Sequence, residues 1–310
     1  MSKISTFINL IRNNPDKIGK SVMANITRLR LARLIPDKLY LRLQFRLMTG
    51  NPLNLKDPKG FNEKLQWLKL YNRNPLYSEL VDKYTVKKYV AEKIGDQYII
   101  PTLQLWNTID EIDIDKLPDQ FVLKCTHDSG SVIICKDKST FDLEKAKNRL
   151  QYKIGKNMFW FGREWPYKNV VPRILAEQYM EDESGELRDY KLMCFNGRVR
   201  CSFVCSDRFS GHGLNVTFFD RNWRKMPFTR GFPASSIDFP QPEHYDKMIA
   251  AAELLSKDIP FVRVDFYEIK GKLYFGEMTF FPGNGVEVFS PEKWDYILGS
   301  WINLPQKSLL

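Results

Sequence analysis

A chain of 310 residues that is 43% apolar and 14% aromatic carries too many core-forming side chains to be disordered over most of its length, and it suffices for two or three lobes around one cleft. No apolar run approaches the roughly 20 residues that span a bilayer, and the run from Phe7 to Ile11 is too short for a signal-peptide core. The formal net charge of +10 suits an anionic partner such as a nucleotide, an acidic polysaccharide, a nucleic acid or an acidic membrane face.

The positive surplus sits at the start of the chain. Ten basic residues between Met1 and Arg46 are opposed only by Asp16 and Asp37. Residues 1–50 read as basic helices punctuated by Pro15 and Pro36. In Ile26-Thr-Arg-Leu-Arg-Leu-Ala-Arg-Leu-Ile35 apolar and basic residues interleave at near-helical spacing. Such a helix either packs its apolar stripe on the body or lies on an anionic membrane surface. Gly50 to Gly60 is turn-rich and marks a boundary. Residues 61–94 read as two helices, with Phe61, Leu65 and Leu68 on one face of the first. Val81, Val86, Tyr89 and Val90 recur further on, and Gly95 supplies a stop. Tyr98-Ile-Ile-Pro101 opens a strand.

Phe121-Val-Leu-Lys-Cys-Thr126 and Val132-Ile-Ile-Cys135 read as strands joined by the loop His127-Asp-Ser-Gly-Ser131. A helix from Phe141 to Ile154 is capped by Thr140 or Asp142. The aromatic segment Phe159 to Pro166 is irregular. Ile174 to Met180 is a short buried strand followed by the acidic turn Glu181 to Gly185. Antiparallel strands are predicted at Asp189–Phe195, Val199–Cys205 and Leu214–Phe219, with Asn196-Gly197 as a tight hairpin turn. A helix from His244 to Lys257 precedes a last hairpin, Phe261–Glu268 and Leu273–Thr279. Blocks of helices and antiparallel strands indicate α+β lobes rather than one doubly wound sheet. Cys125, Cys135, Cys194, Cys201 and Cys205 all lie in apolar strand-like runs and read as small buried hydrophobes. Their odd number, with no CxxC pair and no signal peptide, points to a reducing cytoplasm.

The last hairpin carries the chemistry. Arg263 and Asp265 share one face of its first strand, and Glu277 and Thr279 share one face of its second. A three-residue loop, Lys270-Gly-Lys272, sets Asp265 opposite Glu277 and Arg263 opposite Thr279; a two-residue Lys270-Gly271 turn breaks that pairing unless a bulge restores it. Carboxylates facing each other repel unless a cation intervenes, and Mg²⁺ takes one or two carboxylates together with phosphate oxygens. Phe280-Phe-Pro-Gly-Asn-Gly285 follows at once, with Asn284 as a further candidate ligand. Lys124, late in a strand and followed by Asp128-Ser-Gly-Ser131, suits a nucleotide phosphate. Ile174-Leu-Ala-Glu-Gln-Tyr-Met180 reads as an interlobe hinge whose backbone meets a base.

The order and spacing of these pieces resemble the ATP-grasp superfamily over roughly residues 50 to 305, and most closely its TupA-like branch of bacterial surface-polysaccharide synthesis. The carrying segments are Phe61-Asn-Glu-Lys-Leu-Gln-Trp-Leu-Lys69, Asp82-Lys83, Phe121-Val-Leu-Lys-Cys125, Ser129-Gly-Ser131, Ala176-Glu-Gln-Tyr179, Arg188-Asp-Tyr-Lys-Leu-Met-Cys-Phe-Asn-Gly197, Arg263-Val-Asp-Phe266 and Gly276-Glu-Met-Thr-Phe-Phe-Pro-Gly283. The resemblance implies an α+β ATP-grasp fold whose two lobes hold ATP between antiparallel sheets, behind a basic helical N-terminal segment. The expected divisions are residues 1–50, a substrate-side lobe at 51–115, a central lobe at 116–180 and a C-terminal lobe at 181–310.

Carried over by position, the resemblance implies that Lys83, Lys124, His127, Ser129, Gly130 and Ser131 meet the phosphates and that Glu177, Gln178, Tyr179 and Met180 form the adenine hinge. Asp182, Glu183 and Glu186 are alternatives for the ribose. Arg263 and Lys191 become catalytic, and Asp265 and Glu277 magnesium ligands. Thr279 stands where the superfamily has asparagine, so Asn284 or Thr279 completes the set for two Mg²⁺ ions. The implied reaction is carboxylate–amine ligation through an acyl phosphate on a uronic-acid or peptidyl carboxylate of a surface glycan, with an amino acid or amino sugar as the amine. The implied location is cytoplasmic, with residues 1–46 at the inner membrane face and no nucleic-acid partner. A sugar kinase on the same scaffold and a glycosyltransferase using Asp113-Ile-Asp115 are the rival readings.

Overall fold

The computed structural model describes residues 31–182, 187–206 and 213–307. The start of the interleaved basic segment, residues 26–30, and the ribose candidates Glu183 and Glu186 lie outside them.

Two antiparallel sheets organise the chain. The first has the order β1-β4-β2-β3, built from β1 (Thr102–Trp106), β2 (Phe121–Cys125), β3 (Ile133–Cys135) and β4 (Ile174–Gln178). Along β2, Phe121, Leu123 and Cys125 are buried while Val122 and Lys124 are half-buried, the alternation of a sheet with one face in a core. That core is closed by Leu150 of a helix at Leu143–Ile154. Asp142 caps this helix by accepting a hydrogen bond from Lys145 N at 2.8 Å, which decides between the two caps the sequence offers. Strand β1 starts at Thr102, after a 3₁₀ turn at Asp96–Tyr98, and joins this sheet from ahead of residue 116.

The second sheet has the order β10-β9-β5-β6-β7: β5 (Asp189–Phe195), β6 (Arg198–Ser206), β7 (Asn215–Asp220), β9 (Phe261–Ile269) and β10 (Lys272–Thr279). A helix at Tyr245–Leu255 packs on its middle strands. Asn196 and Gly197 both take positive φ, at 49° and 74°, as a two-residue hairpin turn requires. A small ladder pairs β8 (Thr229–Arg230) with β11 (Phe289–Ser290).

Helices α1 (Asp37–Thr49), α2 (Phe61–Tyr71), α3 (Leu76–Val81) and α4 (Val86–Ile94) share one continuous core with the five-stranded sheet. Residues 61–94 thus form three helices rather than two, because the chain turns at Asp82, whose carboxylate accepts from Tyr84 N at 2.8 Å and Thr85 N at 3.0 Å. The aromatic segment forms a short helix at Phe159–Gly162 and a 3₁₀ turn at Trp165–Tyr167. Among the described residues no helix is long and apolar enough to cross a membrane.

Helix α1 is held by Arg163. The Arg163 guanidinium lies over the Tyr40 ring at 4.1 Å, pairs with Asp37 Oδ1 at 2.8 Å and donates to Ile35 O at 2.9 Å and to Ala32 O. Arg163 is 2% exposed, and removing it takes a donor from Ala32 O and Ile35 O and leaves Asp37 to Arg73 alone. Replacing Arg163 with Met is expected to loosen residues 31–50, with chymotrypsin cutting near Tyr40 or Phe45 at rates at which wild type stays intact, and to cost about 2–4 kcal/mol in urea unfolding.

Candidate active site

The β9–β10 hairpin turns on Lys270-Gly271, with φ of 49° and 70°, and so has the two-residue turn rather than the three-residue loop. Register from this turn pairs Phe275 with Phe266. A bulge follows: Gly276 and Glu277 together oppose Asp265, and beyond it Met278 pairs with Val264 and Thr279 with Arg263. The extra residue restores the parity that the turn removes. Gly276 leaves room for it, since a Cβ there would stand 3.2 Å from both Asp265 O and the Tyr267 ring. Arg263, Asp265, Glu277 and Thr279 therefore gather as the charges demand, by a different backbone route.

Their side chains form one network. Arg263 Nε donates to Asp265 Oδ1 at 2.6 Å, and Arg263 Nη2 donates to Asp265 Oδ2 at 2.7 Å and to Glu277 Oε1 at 2.6 Å. Strand β5 places Lys191 directly across from Asp265; its ammonium pairs with Asp265 and, at 2.6 Å, with Asp189. Thr279 Oγ1 lies 3.3 Å from Glu277 Oε1. Burial alone raises the Glu277 carboxyl, but Arg263, Lys191, Lys83 and Lys124 outweigh it and hold the pKa at about 2. Burial also opposes the Lys191 charge, and Asp189, Asp265 and Glu277 overcome it. Asp189 has the two-residue spacing from Lys191 that puts both on one strand face; that signal in the sequence went unused.

The four-stranded sheet supplies the opposite wall. Lys124 and Lys87 both pair with Glu177, Lys87 at 2.6 Å, and these cations hold the Glu177 carboxyl low against its burial. The Glu177 side chain thus serves the lysines, while Gln178 uses its backbone N–H on Pro101 O at 3.0 Å; Tyr179 and Met180 are half-buried beside it. Lys87 is a member of this wall that sequence reasoning missed. Lys83 donates to the Asp128 carbonyl; burial lowers its pKa first, with Glu277 and Asp128 resisting. The loop after β2 divides in two. Ser129 and Gly130 are exposed, with Gly130 at φ 82°. Ser131 is buried, accepts from Cys125 N at 2.8 Å and donates to Asp128 Oδ1 at 2.5 Å. His127 is also buried, with Nε2 3.0 Å from Lys156 O. Ser131 and His127 therefore shape the loop, and Ser129 and Gly130 present it.

Asn284 sits apart from the carboxylates in role. Its Oδ1 accepts from Lys69, and its carbonyl accepts from Lys69 Nζ at 2.9 Å and Gln66 Nε2 at 3.0 Å. Only its amide nitrogen is unpartnered, and an N–H group cannot ligate a cation. Asn284 is thus withdrawn as a metal ligand in this arrangement. Asp113 is also withdrawn from chemistry: it pairs with Lys116 at 3.0 Å and accepts from Asp115 N at 3.1 Å in a turn. Of the candidate magnesium ligands, Glu277 and Thr279 keep oxygen lone pairs free, whereas both Asp265 oxygens already accept from Arg263 and Lys191. Glu277 opens on the cavity with one oxygen outside the arginine bridge, and Arg263 already bridges the two carboxylates with positive charge.

A cavity of about 920 Å³ opens on this network. Arg263, Glu277 and Thr279 line it with Ser129, and Tyr167 and Phe161 bring in the aromatic segment. Helix α1 closes one side through Gln44 and Leu47; Tyr40 and Gln44 donate to Phe161 O at 2.8 and 3.0 Å. The segment around Trp160 and Arg163 is thereby both a cavity wall and the anchor of the N-terminal helix.

The low Glu277 pKa has a stability consequence. A carboxyl whose folded pKa lies below its unfolded value of about 4.3 contributes stability above that value and loses it as pH falls through about 2. The Glu277 side chain is 38% exposed, so screening reduces the contribution to the order of 1 kcal/mol. Urea unfolding in metal-free buffer between pH 5 and pH 2 is expected to show a flatter decline for Glu277→Gln than for wild type by that amount. Breaking the opposite wall costs more: Glu177→Leu strands Lys124 and leaves Lys87 only Ile100 O and Thr102 Oγ1, and is expected to lower stability at pH 7 by about 3–5 kcal/mol.

A search against protein families matches residues 63–303 to the TupA-like ATPgrasp family. Among solved structures, D-alanine–D-alanine ligase from Bacillus anthracis complexed with ATP aligns at 16% identity and a TM-score of 0.38, over 64% of this chain and 54% of that one. The ATP-grasp ligase PsnB with minimal precursor, Mg and ADP aligns at 12% identity and 0.37, over 72% and 60%. The ADP complex of N5-carboxyaminoimidazole ribonucleotide synthetase aligns at 16% identity and 0.39, over 70% and 50%. The chain spans about half to three-fifths of the length of these proteins. No curated protein matches it.

Proposed function

The chain belongs to the TupA-like ATP-grasp family, and on that premise we propose that it is an ATP- and magnesium-dependent carboxylate–amine ligase. The observation that carries this reading is the Arg263–Asp265–Glu277 network at the floor of the cavity, with Lys191 behind it and two further charges acting on Glu277, Lys124 from the other sheet and Lys83 from the turn between α3 and α4. A carboxylate substrate attacks the γ-phosphorus of ATP, giving ADP and an acyl phosphate; an amine then displaces the phosphate to leave an amide.

Phosphoryl transfer asks a protein for position and charge. Lys83 and Lys124 neutralise the nucleotide phosphates, and Ser129 and Gly130 offer backbone N–H groups to them. Arg263 stands in the cavity wall, where it meets charge developing on the transferred phosphoryl group. Asp265 and Lys191 fix the guanidinium in place. Glu277, Asp265 and Thr279 would hold magnesium, two ions in the family's pattern, whose positive charge would offset that of the phosphates. Glu177 to Met180 line the adenine side, and Asp182, which accepts from Arg188 N at 2.7 Å, is the ribose candidate among the described residues.

The carboxylate is proposed to belong to a uronic acid or peptide of a bacterial surface glycan. The flat faces of Phe161, Phe232 and Tyr167 in the cavity wall support a ring-bearing substrate. Work at the inner membrane face is supported by the outward side of α1, where Lys38, Leu39, Arg42, Leu43 and Arg46 are exposed together, an interleaving of cations and leucines that suits an anionic bilayer.

The test is ADP release with ATP, Mg²⁺ and a panel of uronic acids and amino acids. Wild type is expected to release ADP with one carboxylate and to need an amine for amide formation. Glu277→Gln is expected to lower the rate at least about 100-fold. ADP release unchanged by that substitution removes the metal assignment, and a stable phosphorylated sugar as end product replaces ligase with kinase.

A further inference from the structure

Three carboxylates line the cavity: Glu277, Glu287 and Glu164. Two are committed. Glu277 is bridged by Arg263 at 2.6 Å, and Glu287 pairs at 3.0 Å with Arg230. Among the described residues none forms an ion pair with Glu164. It stands on the turn between the Phe159–Gly162 helix and Tyr167, half-buried, with an edge open to the cavity. Behind it is Lys69 of α2, 1% exposed, whose ammonium is already taken up by Gln66, at 3.1 Å, and by Asn284. Lys69 therefore acts on Glu164 through space rather than by a direct pair. An uncommitted carboxylate facing the cavity that holds Arg263 and Glu277 has the place for a cationic substrate group.

Resting on the ligase reading above, we propose that Glu164 binds the ammonium of the amine substrate and takes its proton as the amine attacks the acyl phosphate. The ammonium R–NH₃⁺ gives one proton to the Glu164 carboxylate and becomes R–NH₂. The nitrogen lone pair forms the C–N bond, and the C–O bond to phosphate breaks. The second proton lost from nitrogen leaves with the phosphate as hydrogen phosphate, and Glu164 returns its own to water.

The surroundings suit a group that must be a base in one step and an acid in the next. Burial pushes the Glu164 carboxyl up against the pull of Lys69, toward the operating pH where a base works best. Facing it are Lys69 from α2 and, from its own turn, Tyr167, whose hydroxyl stays protonated because burial and the Glu164 and Glu277 charges oppose its ionisation. Arg163, the preceding residue, is turned away into its pair with Asp37. The substrate class that follows is a primary amine protonated at neutral pH, such as an amino acid or an amino sugar, rather than an amide or a hydroxyl.

Hydroxylamine separates this role from the first half of the reaction, because its nitrogen is unprotonated at neutral pH and needs no base. The purified full chain is incubated with ATP, Mg²⁺ and the active carboxylate, once with the amine found in the panel and once with hydroxylamine. For Glu164→Gln, amide formation is expected to fall at least about 100-fold while hydroxamate formation stays within about threefold of wild type. Glu164→Asp, which keeps the base one methylene short, is expected to recover part of the amide rate, and wild type alone is expected to show an amine-dependent rate that rises with pH across the neutral range as the raised Glu164 carboxyl ionises and a hydroxamate rate that does not. Equal loss of both products in a variant that melts like wild type, or no loss of amide, overturns the assignment. Should Glu164→Gln fail to fold, a wild-type amide rate flat from pH 6 to pH 8 overturns it instead. If wild type forms no hydroxamate with any carboxylate, the ligase reading itself falls, a result distinct from the other outcomes.

Discussion

Arg263 has to satisfy two carboxylates at once, and much of the C-terminal architecture follows from that. Asp265 and Glu277 lie within reach of one guanidinium, and without a cation between them the hairpin would carry two like charges at close range. A bulge at Gly276–Glu277 brings Glu277 round to the Arg263 side, and the cross-strand pairing of Lys191 with Asp265 adds the second cation. Asp265 is 1% exposed, so its charge is tolerable only while both partners stay. Stability and candidate catalytic geometry are therefore the same set of contacts.

The cavity is shaped by a second polar device far off in sequence. Asn62, Gln66 and Lys69 recur at helical spacing on α2 and are all buried. They donate to Glu287 O, to the carbonyls of Asn284 and Gly285, and to Asn284. One face of α2 thus fixes the loop after β10, whose backbone carbonyls would otherwise be buried without partners. The same helix is capped from a distance, with Asn62 N donating to Asp295 Oδ1 at 3.0 Å. Phe61-Asn-Glu-Lys-Leu-Gln-Trp-Leu-Lys69 thus serves the cavity through this loop although it holds no candidate metal ligand.

Legibility varied with how local the determinant was. The Asn-Gly pair marks one tight hairpin turn in the sequence, and Lys124 reads as the end of a buried strand beside a loop; its place on the half-buried face of β2 comes from the structure. At Lys270-Gly271 the sequence leaves the two-residue turn and the three-residue loop both open, because the compensating bulge lies five residues away and has no turn signature, only a glycine. Ser131 and His127 looked like phosphate contacts in a flexible loop, yet both are buried by packing against Asp128 and Lys156. Asn284 looked like a ligand by its nearness to Thr279 in sequence; Lys69, 215 residues away, took its oxygen.

The sequence by itself determined the α+β class and the β-hairpins, through period-two alternation and turn chemistry; the family and the candidate set of Lys83, Lys124, Lys191, Arg263, Asp265 and Glu277 followed from the resemblance of its short motifs. Only the tertiary structure decided that Glu177 binds Lys124 and Lys87, that Arg163 anchors α1 as a cavity wall, that Asn284 belongs to Lys69 and that Glu164 faces the cavity uncommitted. Each of these depends on contacts between residues far apart in the chain or on which of two neighbouring side chains turns inward, and neither leaves a periodic trace in a single sequence.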